Sequence, residues 1–294
     1  MGYTSQQFLL LDSSSDANFR VWGSAISAAL TSMGWAMTAD TGQVNWTTVT
    51  APAAGTFVYE IWEPQDALQT GGTVFYLKLE YSKTSGSPAG IRVRASLGTG
   101  TNGSGTLTGF VTSAMETAGT QAALSFSVEC DFSGDTDRMG FILGRGSAAG
   151  TNAPLPAAFF IERTKNSDGT NSSDGVTLVS RDGNNSGTFS GVQQTIVFGV
   201  GLGNLNTSLS LAALANGGNA SDAFNNNIPV SPLFPIYGKY GNPMTTLCFV
   251  HTQDVAEGCL FTTTLYGVTR TYLACGTFRG LTVPANCRTC MRYD

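Results

Sequence analysis

The sequence predicts a mainly β protein of antiparallel β-sandwich type with one N-terminal amphipathic helix. Three observations predict it. Many short runs alternate apolar and polar residues with a period of two, the spacing of a half-buried strand. Between them lie Gly/Asn/Ser-rich stretches at 98–109, 166–175, 182–191 and 216–227 that read as loops. One segment near the start repeats its apolar residues at helical spacing instead.

That segment is the helix. Phe19, Trp22, Ile26, Ala29, Leu30 and Met33 fall on one stripe. Ser15 or Asp16 offers a side-chain oxygen to the first free N–H groups, and Gly34 suits the left-handed residue that ends a helix. The period then changes to two. Phe75, Leu77, Leu79 and Tyr81 alternate with polar neighbours, and so do Ile91, Val93, Ala95 and Leu97 across a Gly/Ser/Pro loop. These runs predict a hairpin with an apolar face and a face where Lys78 and Glu80 meet Arg92 and Arg94. Leu124, Phe126, Val128, Cys130 and Phe132 predict another strand, and further strands are expected over 137–145, 157–164, 175–181, 193–200, 246–252, 259–266 and 270–278. The helix and first hairpins are expected to form one unit over 1–116. A second, β-rich unit with a cysteine-containing tail is expected over 117–294.

Composition narrows the function. Charged residues make up 12% of the 294 residues, about half the roughly 25% of an ordinary soluble chain. Fifteen basic against twenty acidic residues, with only four of the basic ones Lys, leave little means of gripping phosphates, so nucleic acid is not an expected partner. No apolar run approaches the ~18 residues of a membrane span, and none near the start is preceded by the positive charge of a leader. Synthesis in a cytoplasm is therefore expected, where the six cysteines begin as thiols.

No catalytic constellation emerges, and an enzyme is not expected. His251 is the one histidine, which removes any chemistry needing two imidazoles. Cys248, His251 and Asp254 have the residue types of a nucleophile, base and orienting acid, but positions three apart on a strand face opposite sides. Glu60 and Glu63, flanking Trp62, fail as a glycosidase pair for the same reason. The Asp135–Asp137 and Asp168–Asp174 stretches lack the spacing of a calcium loop and read as turns. Gly98, Gly100 and Gly103 are spaced as in a phosphate-binding loop, but no helix follows to present its N-terminus.

The cysteines say more. Cys259 and Cys275 flank a predicted hairpin turning at Tyr266-Gly267-Val268, which sets them nearly opposite one another and makes them the candidate disulfide. Cys287 and Cys290 form a C-x-x-C pair downstream. Four sulfurs would suit tetrahedral zinc, yet the 15- and 11-residue gaps match no standard zinc module. Disulfides closed after release from the cell and unpaired thiols stand beside that reading, and no metal or cofactor is assigned.

Several stretches resemble a group of tailed-bacteriophage virion proteins encoded among tail and structural genes. They are Asp40-Thr-Gly-Gln-Val-Asn-Trp46, Tyr59-Glu-Ile-Trp-Glu-Pro-Gln-Asp-Ala-Leu68, Val74-Phe-Tyr-Leu-Lys-Leu-Glu-Tyr81 and the Gly-rich stretch from Leu97 to Gly109. Phe160-Ile-Glu-Arg-Thr164, Gly238-Lys-Tyr-Gly-Asn-Pro243 and Leu265-Tyr-Gly-Val-Thr-Arg-Thr-Tyr-Leu273 continue the pattern, and the cysteine tail after Gly280 departs from it. The resemblance implies a structural component of the tail, baseplate or adsorption apparatus. Such a protein is made and assembled in the host cytoplasm, resides in the virion and contacts copies of itself and other virion proteins. It brings no catalytic residues. A capsid decoration protein is a second reading. A third is a host-attachment module that binds surface glycan, with Trp46, Trp62, Tyr237 and Tyr240 as candidate sugar-stacking platforms.

Overall fold

The computed structural model describes residues 2–71, 73–116, 125–145, 157–181, 190–197, 205–210, 230–232, 236–237, 240–241, 244–250, 255–256, 258–275 and 288–294. In chain order the elements begin β1 (Tyr3–Leu9), α1 (Asp16–Ser32), β2 (Ala36–Met37), β3 (Val58–Glu63), β4 (Tyr76–Lys83), β5 (Ile91–Thr101), β6 (Leu107–Val111) and β7 (Met115–Glu116). Then come β8 (Val128–Asp135), β9 (Arg138–Arg145), β10 (Ala157–Lys165), β11 (Asn171–Arg181), β12 (Ser190–Val197) and β13 (Leu205–Ser210). The last are β14 (Val230–Pro232), β15 (Ile236–Tyr237), β16 (Tyr240–Gly241), β17 (Leu247–Val250), β18 (Leu260–Leu265), β19 (Val268–Ala274) and β20 (Arg288–Arg292). Among the described residues the fold is mainly antiparallel β with one helix, as the sequence predicts.

Three sheets stack in layers, with every described pairing antiparallel. The first sheet runs β2-β3-β4-β5-β6 with β7 also on β5, the second β1-β8-β9-β10-β11-β12-β13, and the third β14-β17-β20-β19-β18. The main core lies between the first two sheets and takes in the helix: Trp22, Ile26 and Leu30 meet Leu77, Tyr81 and Val93 from one sheet and Phe132, Phe141 and Phe159 from the other. The second sheet turns its other face, through Ile142, Ala158, Phe160 and Val179, onto Leu247, Leu273 and Met291 of the third. Its middle strands are therefore buried on both faces, which explains the unbroken apolar run Ala157-Ala-Phe-Phe-Ile161. Gly140 permits the close approach of the third sheet: a Cβ there would crowd Phe160, Met291 and Thr246.

The helix is built as expected. Ser15 Oγ accepts from the Asn18 N–H at 3.1 Å, all six stripe residues are buried, and Gly34 takes φ +89° just past the end. The β4–β5 hairpin keeps its predicted faces, with Leu77 opposite Leu97 and Glu80 opposite Arg94. Glu80 and Arg94 pair through both oxygens at 2.7 and 2.8 Å, while Arg92 turns instead to Glu116.

Three expectations are corrected. The Gly-rich stretch 98–109 is not a loop but the end of β5, a tight turn and the start of β6, because a Cβ at Gly98 or Gly100 would run into Leu107 or Thr108 across the pair. The strand expected from Leu124 begins at Val128, leaving Phe126 55% exposed. The apolar core crosses residue 116, joining residues 9–115 to residues 128–178 in one cluster, and β1 pairs with β8 over seven residues.

Candidate functional site: buried carboxylates between the layers

Two buried polar centres draw in most of the chemistry-bearing side chains. The first is Glu60 on β3, fully buried among apolar neighbours. Its Oε1 accepts from Ser27 Oγ at 2.8 Å and Trp46 Nε1 at 2.7 Å; its Oε2 accepts from Tyr81 Oη at 2.7 Å and Trp62 Nε1 at 3.2 Å. The donors come from α1, the 38–57 connection, β4 and β3 itself. Burial pushes the Glu60 carboxyl above its ordinary range, and the four donors pull it partly back. Burial beside Glu60 drives the Tyr81 hydroxyl well above its own ordinary value. Chemically, the centre is a carboxylate saturated by neutral donors, with no oxygen lone pair turned outward.

The connection that carries Trp46 is fixed by its own polar residues. Asp40 accepts from Thr38, Thr101 and the Gly105 N–H, and Gln43 bridges Thr38 O to the Ile61 N–H. The Trp46 ring then lies against the backbone of Gly23, where a Cβ would fall inside it. Each polar residue of the Asp40–Trp46 motif named here holds a specific backbone or carboxylate partner.

The second centre lies in the seam between the second and third sheets. Glu162 of β10 is buried, and its two oxygens accept from the N–H and Oγ1 of Thr245 and of Thr246, at 2.5–2.9 Å. Lys165 Nζ sits 3.3 Å from Glu162 and 3.5 Å from Asp137. Burial raises the Glu162 carboxyl, but Lys165 and the threonine donors prevail and hold it below its ordinary range. Arg138, with no exposed surface, donates Nε to Asp135 at 3.0 Å and Nη2 to the Asp294 backbone oxygen at 2.6 Å. Asp135 and Asp137 titrate as a coupled pair: burial and the hydrogen bond with Asp137 push Asp135 up to about 6, while that same bond, Lys165 and Asn171 hold Asp137 far below its ordinary value against its own burial.

A third tie joins the first two sheets. Arg163 of β10, fully buried, forks onto both oxygens of Asp66, donates to Thr73 O at 2.8 Å and lies over the Phe75 ring. Residues 162 and 163 therefore serve opposite seams from one strand. The available signal is a pair of charges at the end of an apolar run. Their partners, at 66 and 245–246, carried none.

The sugar-stacking candidates divide. Trp62 is buried and offers no face to a sugar, whereas Trp46 is half-buried, with its N–H on Glu60 and its ring edge-on to Tyr81 at 5.0 Å. Tyr237 and Tyr240 pair across β15 and β16, and their side chains lie outside the described residues. Glu63 lies apart from Glu60, half-buried at the end of β3.

The candidate disulfide is also corrected. The hairpin turns through two residues, Tyr266 at φ 55° and Gly267 at φ 74°, rather than three. Removing one loop residue slips the pairing by one. Cys259 therefore stands opposite Ala274, whose N–H donates to its carbonyl at 2.9 Å. Cys259 is exposed, whereas Cys275 is buried on the other face with its Sγ 3.2 Å from Leu273 O. Cys248 lines the apolar far face of the third sheet with Val250, as its alternation predicts; His251, Asp254 and Cys287 lie outside the described residues. Among the described residues no cluster of His, Cys, Asp and Glu has the form of a metal site, and no helix is long and apolar enough to cross a membrane.

Comparison with family models, with curated proteins and with solved structures finds no match to the chain.

Proposed function

We propose that the chain is a non-enzymatic structural component of a tailed-bacteriophage particle, in its tail, baseplate or adsorption apparatus. The resemblance of its segments to virion proteins supports the setting, and the use of its charges supports the role. Glu60, Glu162, Arg163 and Arg138 are buried in ties between layers. Removing one partner from such a tie costs several kcal/mol, so the ties favour one fixed arrangement of the layers.

The observation that carries assembly is β1. Among the described residues it has a partner on one side only. Its seven residues, Tyr-Thr-Ser-Gln-Gln-Phe-Leu, hold no charge, Pro or Gly, and they pair with β8 without a bulge. Phe8 on its outer face is 69% exposed. An edge of this kind lacks the devices that block strand addition and suits contact with a copy or a neighbouring virion protein.

The test is localisation. Protein analysis of purified particles should find the chain at a fixed copy number, and antibody against it should label the tail or baseplate in electron micrographs. Absence from purified particles would overturn the reading.

A further inference from the structure

We propose that Cys248 and Cys290 form an oxidisable pair, closing a disulfide across the centre of the third sheet. This goes beyond the structural role proposed above and stands independently of where the protein resides. The register sets Cys248 of β17 directly opposite Cys290 of β20. The Arg292 N–H donates to Thr246 O at 2.8 Å, so residues 246 and 292 form a hydrogen-bonded pair. Two residues further along each strand, Cys248 and Cys290 occupy the next position of the same kind. Directly opposed residues there lie about 5.5 Å apart between Cα atoms, within the span of a disulfide, and their Cβ atoms must draw in from about 5.5 Å to about 4 Å as the link closes. Opposed residues also point to the same face of a sheet. Both cysteines have no exposed surface and belong to one apolar cluster with Val250, Leu265, Tyr272 and Ala274. On its other side Cys290 faces Ala274, whose small side chain leaves Cys290 room to turn toward Cys248.

The co-reactant is a small disulfide such as oxidised glutathione. The Cys248 thiol loses its proton, and its sulfur attacks one sulfur of the small disulfide, expelling a thiolate and leaving a mixed disulfide. The Cys290 sulfur, deprotonated in turn, attacks Cys248 Sγ and expels the second thiolate. Two protein thiols are oxidised to one disulfide, one small disulfide is reduced to two thiols, and the released protons end on the expelled thiolates. Because both sulfurs are buried, the first attack waits for the sheet to open. The reaction is therefore slow in buffer and faster in denaturant below the unfolding midpoint.

The closed link would join the two ends of a loop of about 40 residues, a length at which a disulfide constrains the unfolded chain strongly. It would give the third sheet a covalent clasp that the reducing cytoplasm withholds and an oxidising exterior permits.

The test uses the full chain, incubated with oxidised glutathione or with dithiothreitol, then alkylated under denaturing conditions and digested. The expected result is a linked peptide pair containing Cys248 and Cys290, with a mass about 2 Da below the sum of the two thiol peptides. The oxidised protein should also melt at least about 5 °C higher than the reduced one. That rise should vanish in Cys248→Ala, which leaves a small apolar side chain in an apolar site. Full alkylation of both residues after prolonged oxidation in sub-denaturing urea would overturn the proposal. So would a dominant link from Cys290 to Cys287. Because the readout is covalent, it is unaffected by whether the protein is found in particles.

Discussion

Glu60 concentrates the physics of the main core in one side chain. Two of its four donors are indole N–H groups, which can only donate, and one faces each carboxylate oxygen. Glu60→Gln therefore sets an amide NH2 against an indole N–H whichever way the amide turns. The expected cost is about 1–3 kcal/mol, read as a lower denaturant midpoint with an unchanged slope. Little of this centre was legible in the sequence, because Ser27, Trp46, Trp62 and Tyr81 share no local spacing and meet only when α1, β3 and β4 pack. The cysteines show a different limit. The sequence predicts their hairpin, but Tyr266, in the left-handed region, makes the turn one residue shorter and reverses which face Cys259 occupies relative to Cys275.

At the scale of elements, the helix and the β5–β6 hairpin give contrasting tests. Trp22 is fully buried, meets Phe19 edge-on at 5.2 Å and donates its N–H to Ser13 Oγ at 3.1 Å. Trp22→Ala should cost about 3–5 kcal/mol, and calorimetry should show a melting temperature lower by many degrees. In the hairpin, Gly103 and Gly105 both have positive φ, but only Gly105 lies against the Tyr59 ring. Gly103→Ala should cost about 1 kcal/mol for the left-handed backbone alone. Gly105→Ala should cost clearly more, because it also displaces Tyr59, whose hydroxyl donates to Thr41 O at 2.5 Å; equal melting temperatures for the two variants would refute this. The helix was readable because stripe, cap and stop all agreed, and the β4–β5 hairpin because its alternation was clean. β1 escaped because its pattern is inverted: Ser5 and Gln7 are half-buried while Phe8 points out. In β8 the alternating sequence puts Asp131 on a polar side, yet it is buried because a third layer covers that side.

For the molecule as a whole, the seam between the second and third sheets makes stability depend on pH. Asp135 has a folded pKa near 6 against an ordinary 3.8, so its contribution is complete below 3.8 and fades as pH rises through 6. Asp137 is depressed, so its contribution is present above 3.8 and is lost as pH falls toward its folded value. Between them the pair stabilises most near pH 4, and the contribution falls away as pH rises toward 6. Thermal unfolding across pH 4–7 should show the wild type losing about 2 kcal/mol from this pair. Asp135→Asn should flatten that fall, and identical profiles would refute the raised Asp135 carboxyl. The layered plan also explains why the boundary expected at 116 dissolves: Arg163 reaches back to Asp66, and Trp35 donates to Asp135 O at 2.9 Å.

The pairing of β1 with β8 has a consequence in time as well as in space. The partner of Leu9 lies about 120 residues downstream, so at 5–20 residues per second the ribosome takes roughly 6–24 s to deliver it. Throughout that interval an uncharged, strand-forming segment has emerged without its mate. Every polysome places several such segments side by side during that interval. Translation speed between the two strands is thus part of what decides whether nascent chains close on themselves or on each other.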